Sequence, residues 1–319
     1  MAQAFTWQDG ERTIRFGRGA LANAPELLGS GYTLLTTARA EGSAPDVVAA
    51  AGAVHHVRPG RVDEIAAELR DAVRGELLVA LGGGRVIDVT KALAAAAGPP
   101  VRAAAIPTTL SAAEMSHGHR HARGVDPSTP GVRPAIVIND PDLSASQPEP
   151  ELAASAANSL AHAIEGAVTV KASPVPALAA GEAVRLTRAA YANGTPDRDA
   201  LALAALLSGY TIDHAGLGLH HMICQTIVRL AGSGHGPANA AMLPHTIGAL
   251  RRRNPATIDA TEIALALARR ACAERLRDIG VPEDRLDEIA EAAAQRPGLK
   301  ITPPPADAAE IRELLRAAW

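Results

Sequence analysis

The side chains with the most chemical capacity in this 319-residue chain are its 11 imidazoles. Asn158 and His162 lie four apart in Glu151–Lys171, a run whose pattern predicts a helix, so the two share a face. His221 and His235 follow on or near a later helix. An oxygen donor plus three imidazoles is a four-donor set that suits zinc or ferrous iron. By spacing alone the blander outcome is the stronger one, because 11 histidines produce such pairs by chance. The amide at position 158 also lacks a carboxylate's charge, so the protein would leave a metal's full positive charge uncompensated. Of the other histidines, His55-His56 reads as a solvated pair at a strand edge, and His117, His119 and His121 as a solvated loop. Cys224 lies one helical turn from His221 and could form a nucleophilic pair with it, although a small buried thiol is the commoner case.

A second candidate is the stretch LLVALGGGRVIDVTK, Leu77–Lys91. Gly82, Gly83 and Gly84 stand directly between an apolar strand and a helix. Glycines there admit close backbone approach, and a helix N-terminus favours an anion, so the bend suits a pyrophosphate. The spacing is not GxGxxG, and a plain tight turn fits it equally well. Asp88 and Lys91 sit one turn apart, either as a surface ion pair or with Asp88 facing a nicotinamide. Pro107-Thr108-Thr109 follows the next strand, at the edge where ligands of open α/β sheets collect.

The elements that must carry these residues divide the chain in two. Up to residue 147, short apolar runs (Tyr32–Thr37, Ala53–Val57, Leu77–Leu81, Ala103–Ile106, Ala135–Ile138) alternate with helical patterns (Asp46–Ala51, Val62–Val73, Val86–Ala97), which predicts a doubly wound parallel sheet. From Pro148 the pattern is helical: Glu151–Lys171, Ala177–Asn193, Arg198–His214, Leu219–Ala231, Thr261–Ile279, Glu283–Ala294 and Ala306–Ala317. The expected architecture is an α/β domain over 1–147 and an all-α domain over 148–319. A formal charge of −3 and seven aromatic residues argue against a nucleic-acid partner. Two cysteines imply no disulfide scaffold, and no run is long and apolar enough for a membrane span or signal-peptide core, so a cytoplasmic protein with a small-molecule substrate is expected.

Several segments in collinear order carry a family resemblance: Phe16–Leu21 (FGRGAL), Leu81–Lys91, Ile106–Ser116 (IPTTLSAAEMS), Val137–Leu143 (VINDPDL), Ser155–Gly166 (SAANSLAHAIEG), Gly218–Ile227 (GLHHMICQTI), His235–His245 (HGPANAAMLPH) and Gly280–Ala293. Together they resemble the iron-containing alcohol dehydrogenase superfamily, and most closely its maleylacetate reductase branch. The resemblance implies a dinucleotide-binding α/β domain, a helical domain, and an active site in the cleft between. It implies NADH or NADPH as hydride donor, held by Gly82, Gly83, Gly84, Asp88, Thr108 and Thr109. The superfamily's metal positions fall on Asn158, His162, His221 and His235, where iron or zinc would sit. His162, His221 and His235 would be the catalytic imidazoles, polarising the substrate oxygen, with one supplying a proton. A homodimer is also implied. Thr37 ends a strand where an acid would select NAD, and Arg39 follows, so NADPH is expected to serve at least as well as NADH.

The chain also departs from the pattern. Gln225 stands where a further histidine is usual, Ala112-Ala113 replaces Gly-Ser, and Leu110 replaces a tyrosine. A glutamine cannot relay a proton as imidazole does. The leading expectation is an NAD(P)H-dependent reductase of a carbonyl or unsaturated keto acid. The alternative is a member repurposed in a specialised biosynthetic pathway for elimination, cyclisation or isomerisation.

Overall fold

The computed structural model describes residues 4–319. Seven strands form one sheet: β1 (Phe5–Asp9), β2 (Arg12–Phe16), β3 (Thr33–Thr36), β4 (Ala53–His56), β5 (Leu77–Gly82), β6 (Arg102–Pro107) and β7 (Ile136–Asn139), in the order β1-β2-β7-β6-β5-β3-β4. The β1·β2 pair is antiparallel and every other pair is parallel. Helices α1 (Ala24–Leu28), α2 (Ala38–Glu41), α3 (Pro45–Ala50), α4 (Val62–Leu69) and α5 (Gly84–Ala97) lie in the connections.

The central strands are apolar on both faces, as strands covered by helices on each side must be. Along β5, Leu78 and Ala80 join a core with α4 and α5, while Val79 and Leu81 join a second core with α1, α2 and α3. The alternation is the strand's two-residue period. The β1–β2 hairpin was not among the expected strands. Its Asp9-Gly10 turn, with Gly10 at φ +63°, was the available signal.

The connection from β6 to β7, residues 108–135, contains no helix or strand. Two buried cations pin it. Lys91 Nζ donates to the carbonyls of Ala113 (3.0 Å) and Gly118 (2.8 Å) and pairs with Asp88 Oδ1 at 2.9 Å. Arg12 donates to the carbonyls of Glu114 (3.1 Å) and Pro134 (2.9 Å). This corrects the surface reading of Asp88–Lys91, because Lys91 is wholly buried and its ammonium is shared between Asp88 and two backbone oxygens. It also corrects the solvated reading of the histidine run. His119 is half-buried, accepts from the Val132 N–H at 3.3 Å and packs edge-on to His121; burial takes it down to about 4. His117 is exposed, as is His56, which pairs with Glu41.

From residue 148 the chain is helical: α6 (Glu149–Gly166), α7 (Pro174–Ala190), α8 (Arg198–Ala215), α9 (Leu219–Ala231), α10 (His235–Arg253), α11 (Thr261–Arg270), α12 (Leu286–Ala294) and α13 (Ala308–Ala318). Two compact units result: residues up to Gln147 together with Asp197–Leu206, and Pro148–Pro196 with Leu207–Trp319. The early turns of α8 thus belong to the first unit, which a single boundary at 147/148 does not capture. Side-chain bonds explain it: Arg18 pairs with Asp199, and Arg198 donates to the carbonyls of Ser144 and Gln147.

Helix α10 was also missed, because Pro237 and Pro244 argue against a helix. Pro237 falls in the first turn, where its missing N–H costs nothing. Helix α6 ends at Gly166, five residues before the expected Lys171; a Cβ there would lie 2.7 Å from Thr211 of α8. Among the described residues no single helix is long and apolar enough to cross a membrane.

Replacing Lys91 by methionine removes the donor to the buried Ala113 carbonyl and to the part-buried Gly118 carbonyl. The expected loss is about 2–4 kcal/mol of stability, read by chemical denaturation. A variant as stable as the parent would show that Lys91 does not pin the 108–135 segment.

Candidate active site

Helix α6 presents Asn158, His162 and Glu165 at successive turns, on one buried face. Glu165 has no solvent exposure. Its Oε1 accepts the backbone N–H of His220 at 2.6 Å, and its Oε2 accepts from His221 Nδ1 at 2.8 Å. Those partners lie in the first turn of α9, whose N-cap, Gly218, has no side chain with which to cap. A carboxylate from another helix therefore takes the N-cap's place at the positive end of α9. Gly218 must be glycine, because a Cβ would overlap Thr302 Oγ1 and approach Glu165 Oε1 to 3.3 Å. Burial pushes the Glu165 carboxyl up, while His220 and the N–H groups of Gly218, His220 and His221 pull it down. With the His220 N–H on one oxygen and His221 Nδ1 on the other, both oxygens act as acceptors.

That arrangement sets the state of His221. Burial, then His235, holds its imidazole well below the ordinary histidine range, so the ring is neutral. With Nδ1–H given to Glu165, the lone pair is on Nε2, which is buried and has no partner among the described residues. His162 stacks on the same ring, centroids 4.5 Å apart and planes 19° apart. It too is held neutral by burial and by His221. His235 begins α10, is exposed, and lies 6.3 Å from His221 between ring centroids.

His220 is a framework residue. Its Nδ1 is 2.7 Å from Thr246 Oγ1 and its Nε2 is 2.8 Å from Asn239 Oδ1. Asn239 in turn donates to the His235 carbonyl at 2.6 Å. Burial takes His220 to about 3. Cys224 Sγ lies 3.5 Å from His220 Nε2, and burial, then Glu165, pushes the thiol well up. It is a packed thiol rather than a nucleophile.

Asn158 Oδ1, His162 Nδ1 and His221 Nε2 are buried polar atoms without partners among the described residues. Leaving such atoms unpaired costs about 1–3 kcal/mol each, which a divalent cation would offset. The donor chemistry fits such an ion: neutral imidazoles, an amide oxygen, and a carboxylate holding one imidazole by its far nitrogen. As the side chains stand, no three His, Cys, Asp or Glu groups among the described residues are close enough to hold a metal, and His235 is the member set apart.

The first unit carries the other candidate. Thr36, Gly82 and Pro107 end β3, β5 and β6, adjacent parallel strands, so Thr37, Gly82–Gly84 and Thr108 share one sheet edge. Built Cβ atoms on Gly82, Gly83 and Gly84 would lie 2.7, 2.9 and 2.8 Å from Val86, Thr109 and Ser111. Gly82 is thus required by packing against Val86 of α5, and Gly83 and Gly84 by packing against the segment that leaves β6. Gly83, Gly84 and Thr109 are half-buried, Arg85 is exposed, and Thr108 is buried with its N–H on the Gly82 carbonyl at 3.0 Å. Thr37 caps α2, accepting from the Ala40 N–H at 3.3 Å, with exposed Arg39 in the same turn. Asp88 is held by Lys91.

Two functional candidates escaped the sequence reading. Glu165, three residues after His162, was signalled only by its i+3 spacing. Glu114 is fully buried, both oxygens lack partners among the described residues, and burial raises it to about 7.

Known proteins are similar over most of the chain. Residues 11–141 match the family model for iron-containing alcohol dehydrogenase, and 152–274 match its C-terminal model. Maleylacetate reductase 2 of Cupriavidus pinatubonensis is 33% identical over 84% of this chain and 80% of its own. Maleylacetate reductase of Sphingobium indicum is 29% identical over 89% of each chain. The crystal structure of maleylacetate reductase from Agrobacterium tumefaciens superposes with a TM-score of 0.80 at 26% identity, covering 100% of this chain and 99% of that one.

Two measurements probe the cluster. His119, His162, His220, His221 and His245 all have depressed pKa values, so the unfolded chain takes up protons there first as pH falls below the free-histidine value. Raised Glu114 and Glu165 act in the opposite sense, but they are fewer. Unfolding free energy should therefore decline from pH 7.5 to pH 5 (roughly the window below the free-histidine value); a flat or rising profile contradicts the neutral-imidazole assignment. Separately, Glu165→Gln offers His221 Nδ1 an N–H in place of an acceptor. The tautomer should invert, moving the His221 proton to Nε2, visible in ring 15N shifts; an unchanged spectrum would dissociate Glu165 from His221.

Proposed function

Because the chain belongs to the iron-containing alcohol dehydrogenase family and is thereby an NAD(P)-dependent oxidoreductase, we propose that it transfers hydride from NADH or NADPH to a carbonyl or unsaturated keto acid of the maleylacetate type. The observation that carries this reading is His221 Nε2: a buried, unpaired lone pair on a neutral imidazole, oriented by Glu165 and stacked on His162.

Gly82, Gly83, Gly84, Thr108 and Thr109 are the proposed hold on the dinucleotide phosphates and ribose, with Asp88 beside the nicotinamide. The half-buried bend at the start of α5 supports this, since its backbone and the helix's positive end suit an anion. Thr37 and Arg39 lie at the neighbouring strand end, where the exposed guanidinium can meet a 2′-phosphate.

Members of this family use iron or another divalent metal. Asn158, His162, His221 and His235 are the residues that would hold it, and it would supply Lewis-acid polarisation of the substrate oxygen. The chain's own groups divide the remaining work. Neutral His162 and His221 offer lone pairs and a water-poor surface, and they are poor proton donors near pH 7. Should no metal be bound, His235, exposed to solvent at the start of α10, would be the proposed proton donor to the reduced substrate.

The test follows NADH and NADPH consumption with maleylacetate as acceptor. Turnover is expected with both cofactors, with NADPH at least as effective. His162→Ala and His221→Ala should each lower kcat by about 100-fold or more. Absence of turnover with either cofactor, or near-parental activity in both variants, removes the reading.

A further inference from the structure

We propose that Glu114 is a positioning residue for the dinucleotide, and that its carboxyl, neutral when the cofactor is in place, couples cofactor binding to the uptake of a proton. The inference rests on the hydride-transfer reading above, with the dinucleotide phosphates at the glycine bend, and deepens it.

The geometry begins with the segment that leaves β6. Its Thr109 and Ser111 pack on Gly83 and Gly84, and a Cβ on Gly84 would also lie 3.9 Å from the Ala113 Cβ. Ala112 is buried at φ +62°, a backbone conformation that an alanine keeps only where its surroundings impose it. The Met115 N–H closes a turn on the Ala112 carbonyl at 3.1 Å, and Glu114 is the third residue of that turn. Glu114 therefore stands directly behind the residues that pack on the bend. It is wholly buried, and neither carboxyl oxygen has a partner among the described residues.

The charged groups that face Glu114 are Lys91 and Asp88 of α5 and Arg12 of β2. Each cation already has its own anion: Lys91 Nζ lies 2.9 Å from Asp88 Oδ1, and Arg12 Nη1 lies 3.2 Å from Asp9 Oδ2. Lys91 also donates to the Ala113 and Gly118 carbonyls, and Arg12 to those of Glu114, Met115 and Pro134. His119, on the same segment, faces Lys91 and Asp88 and, at about 4, is neutral near pH 7. A third anion in this group is unmatched and has no donor among the described residues, so burial favours the neutral acid. Burial accordingly raises the Glu114 carboxyl to about 7, against the pull of Lys91 and Arg12.

Ionisation of Glu114 acts on the bend in one direction. The new charge competes with Asp88 and the two carbonyls for the Lys91 ammonium, which holds the segment in place. It also puts a negative charge behind the backbone that receives the pyrophosphate. Both effects weaken dinucleotide binding, so affinity falls as pH rises through the carboxyl's midpoint. Linkage requires the converse: a bound dinucleotide raises Glu114 further and draws a proton from solvent onto it.

The experiment titrates the protein with NADH, because the 2′-phosphate of NADPH itself ionises near about pH 6. In the parent, Kd for NADH should rise by up to about tenfold from about pH 6 to about pH 8, the limit for one carboxyl with a midpoint of about 7. Calorimetry near pH 7 in two buffers of different ionisation enthalpy should show uptake of about half a proton per NADH bound. That count is made on the parent alone and needs no variant. Glu114→Gln keeps the shape of the neutral acid and removes the proton site. With its melting temperature unchanged, it should show a flat Kd over the same range and no uptake. A glutamate with a merely structural role would alter stability or affinity on substitution and leave the proton count where it was. NADH binding by the parent without uptake, or uptake that persists in the glutamine variant, overturns the role of Glu114. Failure of the parent to bind NADH and NADPH alike overturns the hydride-transfer reading instead, and this inference with it.

Discussion

A buried carboxylate must find hydrogen-bond donors, and Glu165 takes them from the first turn of α9, the His220 N–H on one oxygen and His221 Nδ1 on the other. That demand has two consequences. It ties the start of α9 to the C-terminal end of α6, so the helices carrying His162 and His221 are fixed relative to each other by a charged cap rather than by apolar contact alone. It also commits His221 to one tautomer, with the lone pair on the nitrogen that faces away from Glu165. The neighbouring residues conform to the same demand: Gly218 lacks a side chain because the carboxylate and Thr302 occupy its place, and His220 turns its ring toward Asn239 and Thr246.

The first unit is organised around a different constraint. The glycine bend fits because β5 and β6 emerge side by side and the Thr109–Ser111 segment just after β6 packs against Gly83 and Gly84. Glycine there serves the protein's own packing, and openness toward a ligand survives on the remaining side, where Gly83 and Gly84 are half-buried. The long 108–135 segment stays near this edge because Lys91 and Arg12 donate to its carbonyls. A buried lysine was legible in the sequence only as half of an i, i+3 pair. Which oxygens it reaches depends on a segment more than twenty residues away.

Family membership bears on the two alternatives the sequence left open. Similarity to maleylacetate reductases extends across both units, and the imidazole pair and the glycine bend are intact, which favours redox chemistry over a repurposed fold. The altered positions read differently in space. Leu110 and Ala112 are buried in the first unit, Ala112 at φ +62°, and Gln225 is engaged with Arg296, so these departures are built into the local structure.

The chain's composition and periodicity determined a parallel sheet followed by helices, because strand and helix spacing are local properties written in two- and 3.6-residue repeats. They also marked Asn158, His162, His221 and the three glycines, which lie on short motifs. Local pattern did not reveal the β1–β2 hairpin, helix α10 with its two prolines, or the return of early α8 to the first unit. Each of those depends on partners far along the chain. The same is true of the chemistry that matters most. Whether a histidine is neutral, which nitrogen carries its proton, and whether a glutamate is an exposed charge or a buried cap are set by desolvation and by donors brought from other helices. Those quantities exist only once the chain has folded.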